Sequence, residues 1–196
     1  MRSRGAALLA ACACQSPPAA VDVDADPDEL GGGTLAVPGC GYDVRIGIGA
    51  TPPALPGDFV GVDPEPRRIH LGIAGDPRTS MVVSWQTDDR STEAGEVRFG
   101  TGTLDRVVPG ITWRYRDTRG GTFRMHEAHL CGLSPDTVHR YRVHSGPAAS
   151  PERAFRTAPG PDDEVVVAAL GDSRGDPATF GALVALADGF APDLYL

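Results

Sequence analysis

Apolar and polar residues alternate along the middle of the chain, between residues 66 and 158. In "SMVVSWQT" (80–87) every second residue is large and apolar, which is the period of a strand with one buried face. Similar segments are separated by turn residues such as "GDP" and "SPDT", so we predict about seven strands packed as an antiparallel sandwich. The residues predicted to face its core are Met81, Val83, Trp85, Val97, Phe99, Leu130, Leu133, Tyr141 and Val143.

The pattern changes in residues 163–196. "VVVAAL" (165–170) is apolar without alternation, which predicts a strand covered on both faces. Asp176 is suited to cap a helix that starts at Pro177 and ends near Gly189, and "PDLYL" predicts a second strand. The predicted fold is therefore mostly β, with a sandwich followed by the truncated β-α-β start of an α/β domain.

The composition of the first 65 residues predicts an export signal followed by a flexible segment. Residues 1–14 resemble an export signal, and "LAAC" resembles a bacterial lipobox, whose cysteine (Cys12) is lipidated after cleavage. Residues 15–65 are rich in Pro, Ala, Gly and Asp, which predicts a flexible linker and a loop-rich lead. No stretch reaches the ~20 apolar residues of a membrane span. We expect a periplasmic, outer-membrane-anchored or extracellular protein that meets a membrane only through a lipid anchor.

The charge balance argues against one class of partner. The 196 residues carry 18 basic residues, all of them Arg, against 26 acidic ones, for a net charge of -8. Because phosphate backbones require a basic surface, we expect no nucleic-acid partner.

Several segments in this order resemble a known family. "PRRIHLGIAGDPRTSMVVSWQT", "VRFGTG", "HEAHLCGLSPDTVHRYRV" and "FRTAP", followed by a strand ending in Gly-Asp, are similar to purple acid phosphatases and related calcineurin-like metallophosphoesterases. The resemblance implies an immunoglobulin-like, fibronectin type III-like domain at residues 66–158, followed by the start of a phosphatase domain. It also implies a metal-dependent hydrolase that acts on phosphate monoesters.

The resemblance further implies a dinuclear centre that combines iron with zinc, manganese or a second iron. Asp172 matches the first metal ligand of the family, at the end of a strand where ligands of α/β sheets collect. The later ligand motifs of the family are absent from these 196 residues. We therefore assign no catalytic residue and expect this chain alone to be inactive. Asp172-Ser173-Arg174 lacks the histidine of the common Asp-x-His motif, which favours the purple acid phosphatases.

Two other functions fit the same residues. "LGDSRG" resembles the first block of GDSL-type esterases, in which Ser173 is the nucleophile and requires a base supplied from elsewhere. A non-catalytic, surface-tethered fibronectin-like module is the second alternative. The tripeptide Arg174-Gly175-Asp176 resembles an integrin-binding motif, but its aspartate already has a predicted capping role.

The cysteines and histidines complete the set of candidates. Alternation places Leu130 inward and Cys131 outward, where the segment carrying Cys40 can reach it, so we predict a disulfide in an exported protein, with two free thiols as the alternative. His126 and His129 lie three apart on a predicted strand and so point to opposite faces, which excludes a shared metal ion. His139 occupies the position that carries the "tyrosine corner" of such sandwiches.

Overall fold

The computed structural model describes residues 34–37, 39–45, 61–89, 95–116, 122–171 and 175–196. These residues form thirteen strands and one helix. The strands are β1 (Thr34–Ala36), β2 (Asp43–Arg45), β3 (Arg67–Gly72), β4 (Ser80–Thr87), β5 (Gly95–Gly100), β6 (Arg106–Pro109), β7 (Ile111–Arg116), β8 (Thr122–Cys131), β9 (Val138–Ser145), β10 (Ala148–Ala149), β11 (Arg153–Arg156), β12 (Val167–Ala168) and β13 (Leu194–Tyr195), and the helix is α1 (Pro177–Asp188).

Strands β3 to β11 form two antiparallel sheets that face each other. One sheet has the order β3-β4-β8-β7, and the other has the order β10-β9-β5-β6 with β11 also paired to β9. The predicted mostly-β sandwich is confirmed. The pattern predicts about seven strands, whereas the described residues of this span form nine. The predicted segments do not include the two-residue strand β10 or the strands β6 and β7. Strands β6 and β7 lie in different sheets and are joined only by Gly110.

The core matches the predicted alternation. All nine residues predicted to face inward are buried in one cluster, together with Ala128 and Phe155. Trp85 is completely buried, and its indole Nε1 donates a hydrogen bond to Ser145 Oγ on the opposite sheet at 2.8 Å. The indole thus fills the space between the sheets and also has its polar N–H satisfied.

Two glycines make room for the Trp85 ring. A Cβ atom at Gly95 or at Gly110 would collide with the indole. Gly110 lies where the chain passes from one sheet to the other, and its N–H donates to the Gly95 carbonyl at 2.7 Å. Glycine is required here because the backbone approaches a large side chain closely, not because of an unusual φ.

The outer face of β4 is buried as well, which differs from the predicted half-exposed strand. Val82, Ser84 and Gln86 are only 5%, 7% and 2% exposed. Polar side chains of neighbouring strands lie against this face. Glu127 on β8 accepts a hydrogen bond from Ser84 at 3.3 Å, and Arg68 on β3 donates one to Gln86 at 3.0 Å.

A disulfide attaches the lead segment to this outer face. Cys40 lies in the turn between β1 and β2, and it is bonded to Cys131 at the end of β8, with 5.2 Å between the Cα atoms. Beside the bond, Tyr42 OH lies 2.8 Å from His129 Nδ1, and His129 Nε2 lies 2.8 Å from Glu127 Oε1. The turn is therefore held by one covalent bond and a chain of hydrogen-bonded side chains.

His126 lies inside the core between two threonines. Its Nε2 is 3.1 Å from Thr87 Oγ1, its Nδ1 is 2.8 Å from Thr112 Oγ1, and its ring stacks on Trp85 with 5.1 Å between centroids. Burial, aided by the charge of Arg124 and opposed by Asp89, lowers the pKa of His126 from 6.5 to about 4. The imidazole is therefore neutral in the folded protein at ordinary pH.

We expect loss of the disulfide to destabilise the fold substantially. The bond closes a loop spanning 91 residues, so its removal should lower the free energy of unfolding by roughly 4–5 kcal/mol in the chain-entropy model. The measurement compares urea denaturation of the unmodified chain with that of a Cys40→Ser/Cys131→Ser double variant, which leaves no free thiol at either position. Equal unfolding midpoints would contradict the prediction.

We expect His126 to make the fold less stable in mild acid. The unfolded chain takes up a proton below pH 6.5 but the folded imidazole does so only near its pKa of about 4. Between pH 6.5 and about 4 the unfolded state therefore binds more protons than the folded state. As the pH is lowered through this range, the free energy of unfolding should decrease by up to about 1.4 kcal/mol per pH unit, and above pH 6.5 His126 should have no such effect.

Urea denaturation midpoints measured between pH 4 and pH 7 test this predicted pH dependence of stability. His126→Gln keeps a polar side chain between the threonines but does not titrate, so its stability should depend less on pH. His70→Gln changes an exposed histidine and is the matched control. An unaltered pH dependence in His126→Gln would show that this imidazole is not responsible.

Candidate functional site

The end of the chain forms a small β-α-β unit. Strand β12 runs parallel to β13, with Val167 opposite Leu194 and Ala168 opposite Tyr195, and helix α1 connects them. Parallel strands joined by a helix are the building block of α/β sheets, in which ligands collect beyond the carboxyl ends of the strands. A site is therefore expected beyond the carboxyl end of β12, after Ala168.

The candidate residues Asp172, Ser173 and Arg174 lie outside the described residues. The two glycines that flank them are described, and both are exposed. Gly175 has φ of 93°, a left-handed conformation that a residue with a side chain rarely adopts. Glycine therefore suits the position directly before the helix cap at Asp176.

Helix α1 begins as predicted. Asp176 Oδ1 accepts hydrogen bonds from the N–H groups of Ala178 and Thr179, both at 3.1 Å, and Oδ2 accepts from Thr179 Oγ1 at 2.7 Å. These bonds hold the pKa of Asp176 below its usual value. Because the carboxylate is committed to the cap, the "RGD" tripeptide does not present a free aspartate.

The apolar surface of this unit is largely uncovered, which differs from the prediction that "VVVAAL" is buried on both faces. Val165, Val166 and Val167 are 46%, 39% and 47% exposed. Large apolar side chains of α1 and its surroundings are exposed too, namely Phe180, Leu183, Leu186, Phe190 and Leu196. A two-stranded sheet and one helix are too small to bury these side chains.

The histidines do not form a metal centre in the sandwich. His126 lies in the core, whereas His129 lies on the outer face of β8, so the two side chains point apart as predicted. Within the described ranges, no group of three or more His, Cys, Asp or Glu side chains is arranged to hold a metal ion.

The aromatic residues predicted to face the core of the sandwich have a structural role. Trp85, Phe99 and Tyr141 are all at most 3% exposed, so they pack in the core and offer no platform for a ligand. His139 is also buried, and it stacks on Phe155 with 5.4 Å between ring centroids. Burial lowers its pKa, and the nearby charge of Arg106 acts in the same direction.

Sequence reasoning missed the polar chain that runs from Tyr42 through His129 to Glu127. The only signal was the spacing of His129 and Glu127 two residues apart on one strand, which places both side chains on the same face. Tyr42 is 87 residues distant, so local pattern does not reveal its contact. Burial and the charge of Glu127 raise the pKa of Tyr42, which keeps its hydroxyl protonated.

Two of the predictions concern attachment to a membrane, namely the lipidated cysteine and the lack of a membrane-spanning segment. Cys12 lies outside the described residues. In the portion of the chain that the structure describes, no helix has the length and apolar character of a membrane span.

Known proteins resemble parts of this chain. The uncharacterized proteins MT2654 and Rv2577, from two strains of Mycobacterium tuberculosis, are each 37% identical over 126 residues, covering 62% of this chain and 22% of theirs. The chain thus spans about a fifth of the length of these relatives.

Solved structures give only a distant likeness. The structure of PhoD is 17% identical with a TM-score of 0.34, covering 52% of this chain and 22% of PhoD. The sensor domain of the anti-sigma factor RsgI4 from Pseudobacteroides cellulosolvens is 14% identical with a TM-score of 0.32, covering 51% of this chain and 100% of that domain. Scores this low support no conclusion about function.

The family model described as "Purple acid Phosphatase, N-terminal domain" matches residues 66–157. This range contains strands β3 to β11, and therefore both sheets of the sandwich and its entire buried core. Residues 66–157 are thus similar in sequence to the N-terminal domain of purple acid phosphatases.

Proposed function

We propose that this chain is the N-terminal part of an exported, purple acid phosphatase-like metallophosphoesterase that hydrolyses phosphate monoesters. The observation that carries the proposal is the order of two structural units. A sandwich at residues 66–157 that is similar in sequence to the N-terminal domain of purple acid phosphatases is followed directly by a parallel β-α-β unit. The first strand of that unit leads into Gly171-Asp172, where an α/β enzyme places ligands.

The exposed apolar surface of the β-α-β unit supports the same proposal. Parallel sheets normally have helices over both faces, yet Val166, Val167 and Phe180 are exposed here. Further strands and helices of an α/β domain would cover these side chains. The unit therefore has the properties of one edge of a larger catalytic domain.

The residues of this chain do not by themselves fit a dinuclear metal centre. Asp172 supplies a hard anionic oxygen of the kind that iron, zinc or manganese accepts, but one carboxylate does not hold two ions. The described residues add no cluster of ligands. In the complete enzyme two metal ions would activate water and neutralise the phosphoryl charge. No catalytic step is assigned to a residue of this chain.

The first test compares two adjacent substitutions in the protein made from the complete coding sequence. Asp172→Asn should lower metal-dependent hydrolysis of p-nitrophenyl phosphate by roughly 100-fold or more and remove bound metal, because it weakens a direct ligand. Ser173→Ala is the matched control, since it changes the next residue and leaves the proposed ligand intact. The sandwich should stay folded in both variants.

The same pair of variants distinguishes the alternatives. If Ser173→Ala abolished hydrolysis of p-nitrophenyl acetate while Asp172→Asn did not, the GDSL-type esterase would replace the phosphatase. Metal-dependent turnover by the 196-residue chain alone, lost in Asp172→Ala, would contradict the expectation that this chain lacks a complete site. Failure of the complete protein to hydrolyse either ester would favour the surface-tethered module.

Lipid attachment is tested separately. We propose that Cys12 is acylated on export, so bacterial cells expressing the protein should incorporate labelled palmitate into it. Cys12→Ala should remove the label and release the protein from the membrane fraction, whereas Cys14→Ala should do neither. Labelling that persists in Cys12→Ala would reject the anchor.

A further inference from the structure

Basic side chains gather on the outer face of the sheet that contains β5 and β9. Arg98 projects from β5, and Arg140, Arg142 and His144 follow one another at every second position of β9. Arg98 and Arg142 are direct partners in the antiparallel register. Like charges directly opposite each other destabilise a sheet, so this pair is unfavourable unless something else neutralises it.

The neighbouring carboxylates neutralise the cluster unequally. Arg98 Nε donates to Glu96 Oε1 at 2.7 Å, and Arg140 Nη1 donates to Glu152 Oε1 at 2.8 Å. Arg142 Nη2 lies 4.0 Å from Glu152 Oε2, and among the described residues Arg142 Nε has no hydrogen-bond partner. Arg142 is therefore the least compensated charge of the cluster.

The pKa of His144 is affected by the same arginine charges. Partial burial lowers its pKa first, the charges of Arg98 and Arg142 lower it further, and Glu96 opposes them. A cationic face of this kind is notable in a chain whose net charge is -8. A purely structural ladder of ion pairs would place an acidic residue opposite each arginine, as Glu96 stands opposite His144.

We propose that Arg98, Arg142 and His144 form a binding site for a phosphate-bearing anion on the outer face of β5 and β9. Guanidinium groups present planar sets of N–H donors that match the oxygens of phosphate. Both arginine side chains are accessible, at 49% and 42% exposure. An anion between them would neutralise the opposed charges. The site does not depend on the proposed catalytic function, since it lies on the sandwich and uses none of the candidate metal ligands.

Titration of the 196-residue chain with inorganic phosphate, at constant ionic strength and followed by NMR, tests the site. Bound phosphate should raise the pKa of His144, because the anion favours the charged imidazolium. It should also raise the melting temperature by mass action. Arg98→Gln and Arg142→Gln should each weaken phosphate binding by roughly tenfold, since each removes charge-assisted hydrogen bonds.

Arg78→Gln is the matched control. Arg78 is a surface arginine paired with Asp76 in the turn before β4, a strand of the other sheet, so its loss should leave phosphate binding unchanged. An unchanged His144 pKa in the presence of phosphate would overturn the proposal. So would equal phosphate affinity in Arg98→Gln, Arg142→Gln and the unmodified chain.

Free phosphate and a phospholipid headgroup share this chemistry, so vesicles identify the source. Retention of the chain on phosphatidylglycerol vesicles but not on phosphatidylcholine vesicles, lost in Arg98→Gln, would identify an anionic headgroup. Phosphate binding without vesicle retention would identify a soluble phosphate compound. Retention that is equal in Arg98→Gln and the unmodified chain, without a phosphate effect on His144, would reject both.

Discussion

The contact of Trp85 with the opposite sheet sets the geometry on which the sandwich depends. The indole is completely buried, stacks on His126 in its own half of the core, and donates to Ser145 across the interface. Gly95 and Gly110 have no side chains, which allows the backbone of the facing elements to approach the ring. The glycine at the crossing between the sheets and the stacked position of His126 in the core both depend on contact with this one side chain.

The two outer faces of the sandwich differ in how they are covered. On the face of β4 and β8, the lead segment is attached through the Cys40–Cys131 disulfide and through Tyr42, which lies against His129. The buried side chains of Ser84, Gln86 and His129 there have hydrogen-bond partners, as buried polar groups normally do. On the face of β5 and β9, arginines project into solvent and one opposed pair lacks full compensation. The first face is covered by the lead segment, whereas Arg98 and Arg142 of the second are 49% and 42% exposed.

The sandwich and the β-α-β unit differ in how completely they satisfy folding requirements. The sandwich buries a continuous cluster that includes Val83, Phe99 and Val143. The β-α-β unit keeps a well-formed cap at Asp176 but exposes most of its large apolar side chains. Local signals alone are sufficient to define its helix, whereas burial needs neighbours on both sides of a parallel sheet. This contrast is the physical reason for our proposal that the unit packs within a larger α/β domain.

Local pattern alone determined much of this protein. Alternation identified the inward residues, because successive side chains of a strand point to opposite faces. The same rule placed Cys131 outward and separated His126 from His129, and the capping chemistry of Asp176 identified the start of the helix.

Only the tertiary structure decided which residues meet across the sheets. The burial of Val82 on a face predicted to be exposed depends on what packs over β4, and a period of two carries no information about that cover. The two threonines that flank His126 come from different strands, and Arg98 meets Arg142 only in the register of β5 with β9. Contacts between residues distant in sequence arise only when strands pair and sheets pack. The sequence pattern therefore determined which residues of each strand face inward. The assembled sheets determined the environment of His126 and the arrangement of the arginines.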